Sequence, residues 1–235
     1  MQLERILQKH GFGTRKACRS LIRHELVAVN GQISANPFAE IDTNGLIFTV
    51  DGVDWPYAEF ASLMLHKPSG YECSRKPLHH PSVLSLLPVQ LRERDVQPIG
   101  RLDEDTTGLL LITDDGQLNH VLSSAKRKVP KVYLATTKHP VDQGQIDQLL
   151  TGVLLNDEPE PIAAAACEIA GENLLRLTLT GGKYHQVKRM VAAAGNRVEA
   201  LHRESIGELQ LLDDLKPGEW RWLSAVDLKN LGYLA

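Results

Sequence analysis

The nine residues Gly100-Arg101-Leu102-Asp103-Glu104-Asp105-Thr106-Thr107-Gly108 hold three carboxylates and an arginine between two glycines. They lead straight into the apolar run Leu109-Leu110-Leu111-Ile112, which Asp114 and Asp115 follow. Three readings fit such a segment. In a calcium loop, Asp103, Asp105, Thr107 and Gly108 fall at the first, third, fifth and sixth positions and Asp114 at the twelfth. Against it, Leu111 brings no side-chain oxygen to the ninth position, and Pro98 and Gly100 break the helix that should enter the loop. The second reading is a capped turn, in which acids and threonines are common. The third is a carboxylate that attacks an electrophilic carbon and forms a covalent intermediate. That carboxylate must be ionised and held in one direction, so a nearby cation and a rigid loop help it.

A source of cations lies further along. Gly181-Gly182-Lys183-Tyr184-His185-Gln186-Val187-Lys188-Arg189 is a glycine turn opening a basic helix. His185, Lys188, Arg189 and Ala192 share one helical face, while Val187, Met190, Val191 and Ala194 form the opposite, core-seeking face. A basic face at a helix start suits contact with phosphate or carboxylate. His79, His80 and His202 have no Cys or His partner at ligand spacing, so they read as surface groups, or groups facing a bound partner, rather than metal ligands.

The elements that must position these groups are mixed. Leu63-Met64-Leu65, Leu109–Ile112 and Lys131-Val132-Tyr133-Leu134-Ala135 read as buried strands. Leu175, Leu177 and Leu179 alternate with Arg176, Thr178 and Thr180 as a half-buried strand does. Asp142–Leu150 and His185–Ala194 read as helices, the second stopped by Gly195. Strands and helices do not alternate strictly, which predicts an α+β fold with an antiparallel or mixed sheet.

The N-terminal segment is different. Leu3, Ile6 and Leu7 make one apolar helical stripe, and Gly11-Phe12-Gly13 breaks it. Thr14 can cap a second helix, in which Ala17, Cys18, Leu21 and Ile22 share a face and Arg15, Arg19 and Arg23 form a row. Val27-Ala28-Val29-Asn30-Gly31 reads as a strand ending in a tight hairpin turn. Residues 51–60 are acidic and carry Gly and Pro, so a linker is expected there.

A chain of 235 residues suggests one or two domains. No apolar run reaches the roughly 18 residues needed to span a bilayer, and the N-terminus lacks an apolar secretion core. The three cysteines, Cys18, Cys73 and Cys167, are far apart and form no CxxC pair, so neither a disulfide framework nor a zinc ribbon is expected. A soluble, cytoplasmic, reducing setting follows. The net charge of −3 argues at first against a polyanionic partner. Its distribution reverses that: residues 1–31 carry six bases against two acids, and residues 32–60 five acids and no base. Lys126, Arg127, Lys128 and Lys131 cluster again, as do Lys183, Lys188 and Arg189. Local patches, not whole-chain charge, attract a polyanion.

Two resemblances bear on function. The helix, turn and basic helix from Thr14-Arg15-Lys16-Ala17, followed by Val27–Gly31, resemble the small RNA-binding domain of ribosomal protein S-four over about residues 1–50. Gly100-Arg101-Leu102-Asp103-x-Asp105-Thr106-Thr107-Gly108-Leu109 with Thr113-Asp114-Asp115-Gly116 resembles the signature of RNA pseudouridine synthases. Lys131-Val132-Tyr133 resembles their tyrosine motif, and Tyr184-His185-Gln186-Val187-Lys188-Arg189-Met190 their third motif. Leu65-His66-Lys67-Pro68-Ser69-Gly70-Tyr71 resembles the opening of their catalytic domain, with His66 where Asn is more usual. The order of motifs is similar to that of the RsuA family.

The resemblance implies an S-four-type domain over residues 1–56 and a catalytic domain over 61–235 with a mixed, mainly antiparallel sheet flanked by helices. It implies that Asp103 is catalytic, that Tyr133 packs on the target base, that Lys188 pairs with the aspartate, and that Arg101 helps fill the space of the flipped base. RNA contacts are expected from Arg15, Lys16, Arg19, Arg23, Lys126, Arg127, Lys128, Lys131, His185 and Arg189. No cofactor or metal is implied, because the reaction is an isomerisation. Whether Asp103 attacks the sugar carbon or assists proton loss at its neighbour stays open. The implied partner is ribosomal RNA, met by a monomer in a small-subunit assembly intermediate. His80-Pro81-Ser82-Val83 and Tyr184–Lys188 point to uridine 516 of 16S rRNA. The alternatives are a synthase acting on 23S rRNA and a non-catalytic assembly factor.

Overall fold

Leu3, Ile6 and Leu7 are fully buried along one side of α1 (Leu3–Lys9). In the computed structural model, which describes residues 1–233, this helix belongs to a first unit made of Met1–Ala61 and Leu87–Gln97. The chain from Ser62 to Leu86 and from Pro98 onward forms the second unit. In the first, the Thr14 side chain accepts a hydrogen bond from the Ala17 N–H and so caps α2 (Arg15–Arg23). Cys18 and Ile22 are buried on its inner face, but Ala17 is exposed, so that face is narrower than the sequence pattern implied.

Beside these helices lies a sheet of order β2-β1-β3-β4, with β1 Val27–Val29, β2 Gln32–Ile33, β3 Ile47–Val50 and β4 Val53–Pro56. Asn30 and Gly31, with φ of 49° and 78°, make the expected turn between β1 and β2. The linker expected at residues 51–60 is a correction: Val53–Pro56 is the edge strand of a hairpin. Asp51 and Gly52 turn it with φ of 49° and 77°, the paired positive values that an Asp-Gly hairpin turn requires. The hydrophobic effect holds the strand in place, since Trp55 is buried and meets Phe12 edge-on at 5.3 Å. The helix α3 (Val89–Glu93) contributes the buried Leu91 to this unit.

His10 sits in that core at 1% exposure. Its Nδ1 lies 2.8 Å from the Ile6 carbonyl, and its Nε2 accepts the Ala58 N–H at 3.1 Å. Only the neutral ring fits both partners. Burial, followed by the charges of Arg94 and Lys9, outweighs the Ile6 bond and brings its pKa down to about 4. Between about 6.5 and about 4 the unfolded chain therefore binds a proton that the folded one refuses, and stability falls as pH drops through that window. The expected loss is on the order of 3 kcal/mol. Replacing His10 with Gln should lower stability at neutral pH yet remove this part of the acid loss. Urea midpoints at pH 7 and pH 4 check it, and an acid loss as large as wild type's would contradict it.

The second unit carries a nine-stranded sheet. Its main path runs β13-β5-β7-β11-β8-β10-β9, with β5 Ser62–Lys67, β7 Thr107–Thr113, β8 Lys131–Thr137, β9 Ala166–Gly171, β10 Leu174–Leu179, β11 Val198–Ile206 and β13 Trp220–Trp222. Two short strands lie off this path: β6 (Gln97–Ile99) beside β7 and β12 (Leu209–Gln210) beside β11. β7 and β11 run parallel, whereas β5–β7, β11–β8, β8–β10, β10–β9 and β13–β5 are antiparallel. The mixed, mainly antiparallel α+β architecture is as expected. α4 (Gly116–Ser123), α5 (Gln143–Thr151) and α6 (Gln186–Ala193) flank the sheet, and α7 (Ala225–Asn230) follows it. Asp115 caps α4 and Asp142 caps α5.

Two apolar clusters hold these layers together. Leu118 and Leu122 of α4 pack with Met64, Leu109 and Leu111. Ile146 and Leu149 of α5 and Val187, Met190 and Val191 of α6 pack with Leu175, Leu177 and Leu179. Each leucine buried from the alternating strand contributes roughly 2 kcal/mol, enough to fix its parity. That parity turns Tyr133 of β8 to the same side.

Candidate active site

Lys67 ends β5 with its side chain fully buried. Its Nζ donates to the carbonyls of Pro68 and Glu104 at 3.1 Å each and of Thr106 at 2.8 Å. Burial pulls its pKa down, while Cys73, Asp105, Glu104 and Asp103 pull the other way. The Gly70 N–H reaches the Glu104 carbonyl at 2.8 Å, and the Thr106 N–H closes a turn on the Asp103 carbonyl at 3.1 Å. The loop bearing the acids is thereby tied from below and within. Gly108 lets it enter the sheet: with φ of 108°, a Cβ there would lie 2.3 Å from the Arg203 carbonyl oxygen on β11. No other residue tolerates that approach.

The second half comes from the turn before α6. Gln186 is buried and accepts the Lys183 N–H at 2.9 Å, which shapes the Gly181-Gly182 turn. His185, at φ of 48°, precedes the helix and stacks on Tyr184 with ring centroids 3.8 Å apart. Val187, Met190, Val191 and Ala194 are all buried, so Lys188 is carried toward the loop. Its Nζ stands 3.1 Å from Asp103 Oδ2. It stands closer to Asp105, at 2.7 and 2.9 Å from the two oxygens. His185 Nε2 lies 3.3 Å from Asp103 Oδ1. Burial lowers the Lys188 pKa, but the bonds to Asp105 and Asp103 outweigh it and the net shift is upward. Burial likewise raises Asp105, yet the bond to Lys188 and its charge leave that carboxyl below its ordinary range.

Asp103 faces a cleft lined by Arg101, Tyr133, Leu179, Gly182, Val187, Lys188 and Leu201. Tyr133 is nearly buried and forms one wall; Arg101 is exposed at the rim. The result is a slot with aromatic and aliphatic walls and one aimed carboxylate. Among the described residues, no group of three His, Cys, Asp or Glu side chains converges as a metal site would need.

Other expected contact residues divide. Arg15, Lys16 and Arg23 are exposed on α2, as are Lys126, Arg127 and Lys128 on the turn after α4. Arg19 departs from the expected open row: it pairs with the buried Glu4 and lies over the Phe38 ring at 5.0 Å. Arg189 is ion-paired to Asp157 and donates to the Tyr184 carbonyl at 3.1 Å. Lys131 is half-buried and donates to the Val129 carbonyl, and burial, aided by Arg203, lowers its pKa. Asp115 accepts the Tyr233 hydroxyl at 2.8 Å besides capping α4. His66 donates to the Leu215 carbonyl at 2.7 Å and does not line the cleft.

Sequence reasoning missed the clamp of Lys67, the prior claim of Asp105 on Lys188, and Arg203. Arg203 is buried and donates from Nε to the Leu109 carbonyl at 2.7 Å, steadying the strand that follows the loop. The spacing of Leu63, Leu65 and Lys67 at inward parity was a signal for the first. Nothing local signalled the other two.

Comparison with known proteins bears on this geometry. A family model described as RNA pseudouridylate synthase matches residues 61–193. The chain is 37% identical over 229 residues to the ribosomal small subunit pseudouridine synthase A of Pasteurella multocida (strain Pm70), covering 97% of this chain and 98% of that protein. It is 44% identical over 169 residues to the Yersinia pestis protein of the same name, covering 72% of each. It also superposes on a pseudouridylate synthase crystal structure with a TM-score of 0.70 and 34% identity, covering 98% of this chain and 99% of that one.

Proposed function

The chain belongs to the RNA pseudouridylate synthase family, and from that premise we propose that it isomerises one uridine of small-subunit ribosomal RNA, uridine 516 of 16S rRNA, with Asp103 as the catalytic group. One observation carries the catalytic assignment. The Asp103 carboxylate is held between Lys188 and His185 and faces a slot walled by Tyr133. The names of the full-length relatives support the choice of RNA.

A uridine in folded RNA must leave its stack first, at a cost of a few kcal/mol. Arg101, at the rim, fills the vacated space. The uracil enters the slot and packs on Tyr133, as extruded bases do on aromatic rings. Asp103 then acts on the ribose while the bond from C1′ to N1 breaks, a cleavage that a nearby carboxylate favours. The freed base turns, C5 bonds to C1′, the C5 proton is lost, and N1, no longer bonded to the sugar, gains one. Lys188, shared with Asp105, fixes the direction of the Asp103 carboxylate.

Residues 1–56 act in this reading as an S-four-type RNA-binding domain, and residues 61–235 as the catalytic domain. The exposed Arg15, Lys16 and Arg23 hold phosphates, with Arg19 committed to Glu4. Reversing those three charges to Glu should reduce the salt dependence of RNA binding by about one unit of slope per lost phosphate contact. The activity loss should fall on KM more than on kcat. An unchanged slope would place the contacts elsewhere.

Mapping pseudouridine in ribosomal RNA from cells with and without the gene tests the target. The expected result is loss of a single 16S site. Loss of a 23S site would favour the large-subunit reading, and no loss would favour a non-catalytic factor.

A further inference from the structure

The loop from Glu72 to Val83 is built to be stiff although it is exposed. Backbone bonds close its base, from the Glu72 N–H to the Pro81 carbonyl at 3.0 Å and from the Val83 N–H to the Glu72 carbonyl at 2.8 Å. The Glu72 carboxylate fills its interior, accepting the N–H groups of Leu78, His79 and His80 at 3.0, 2.7 and 2.9 Å. These bonds bring the Glu72 pKa down to about 2, so the loop stays pinned throughout the working pH range. The Ser82 hydroxyl adds a bond to the Ser74 carbonyl.

Among the basic and polar side chains that this loop exposes stands one large apolar residue, Leu78. Leu78 is 84% exposed, and Tyr184, across the same cleft, is 74% exposed. Both line a cleft whose other walls include Arg101, Asp103 and His185. Stacking on His185 fixes the Tyr184 ring. Apolar surface left in water at the mouth of a site marks a contact for a ligand with apolar faces. In RNA those faces are the bases, which unstack next to a nucleotide that has been turned out.

We propose that Tyr184, by stacking, and Leu78, by apolar contact, grip the bases flanking the flipped uridine, with the Glu72-pinned loop as a rigid finger that helps decide which RNA is accepted. This rests on the RNA pseudouridine synthase reading above and adds to it a contact for the neighbours of the target. Stacking tolerates any base, so the finger selects for unpaired neighbours rather than for a sequence.

The test uses the whole protein and short RNA substrates in which the nucleotide on either side of the target uridine is made abasic. On wild type, the abasic change at one flank or the other should lower kcat/KM about tenfold, since a base–aromatic stack acts on that scale. Tyr184→Ala should cause a similar loss on intact RNA and Leu78→Ala a smaller one, each with little further loss when the base that it grips is already missing. Glu72→Gln, with a single acceptor oxygen for three donors, should behave like Leu78→Ala. If abasic flanks cost wild type nothing, or if variant and abasic losses simply multiply, the grip is overturned. If wild type forms no pseudouridine even on intact RNA, the reading beneath it is what fails.

Discussion

Replacing Asp103 with asparagine is expected to abolish pseudouridine formation, lowering kcat by about 10⁴-fold or more, the scale on which loss of a reacting side chain acts. The substitution keeps the shape and removes the charge. Asp103 is partly exposed, and its contacts are to Lys188 and His185 rather than to the core. Folding and RNA binding should therefore stay near wild type. Asp105→Asn should be much milder, because Asp105 is the more exposed acid and reaches the reaction only through Lys188. Thermal unfolding, RNA binding and product formation measured on the same preparations separate these effects. Activity of Asp103→Asn within tenfold of wild type would remove it from the catalytic role.

Lys188→Met is expected to be the second most damaging change, costing about 10²- to 10³-fold in kcat, the range over which misplacing a reacting group acts. Without the ammonium, Asp103 and Asp105 face each other with no cation between them, and the Asp103 carboxylate loses its aim. Lys188→Arg should retain more activity, since the charge remains while the contact geometry changes. Equal losses from Met and Arg would mean that the shape of the lysine, not its charge, is what the site uses.

The strands and helices around the site were legible because they are written in local pattern. The alternation through Leu175, Leu177 and Leu179 fixed a strand and its inner face. The buried Val187, Met190, Val191 and Ala194 fixed which side of α6 carries Lys188. The edge strand Val53–Pro56 was missed because its acids and proline read as a linker, although Asp51-Gly52 is a hairpin turn signal and Trp55 an apolar anchor. The grouping of Leu87–Gln97 with the first unit leaves no local trace, since it depends on contacts with residues far away in sequence. The site shows the same division. Motif resemblance singled out Asp103 and Lys188, but the preference of Lys188 for Asp105 and the capture of three carbonyls by Lys67 are facts of distance. Residue types and spacing do not encode the first, and of the second they signal only that Lys67 turns inward.

The central claim is that this protein itself moves a uracil from N1 to C5 attachment using Asp103. It is tested most directly by incubating the purified chain with 16S RNA carrying tritium at C5 of its uridines. Forming the bond from C5 to C1′ expels the C5 hydrogen, so label enters water once for each pseudouridine made. The account predicts release that levels off at one equivalent per RNA with wild type and is absent with Asp103→Asn. No release from wild type, or equal release from both proteins, would contradict it.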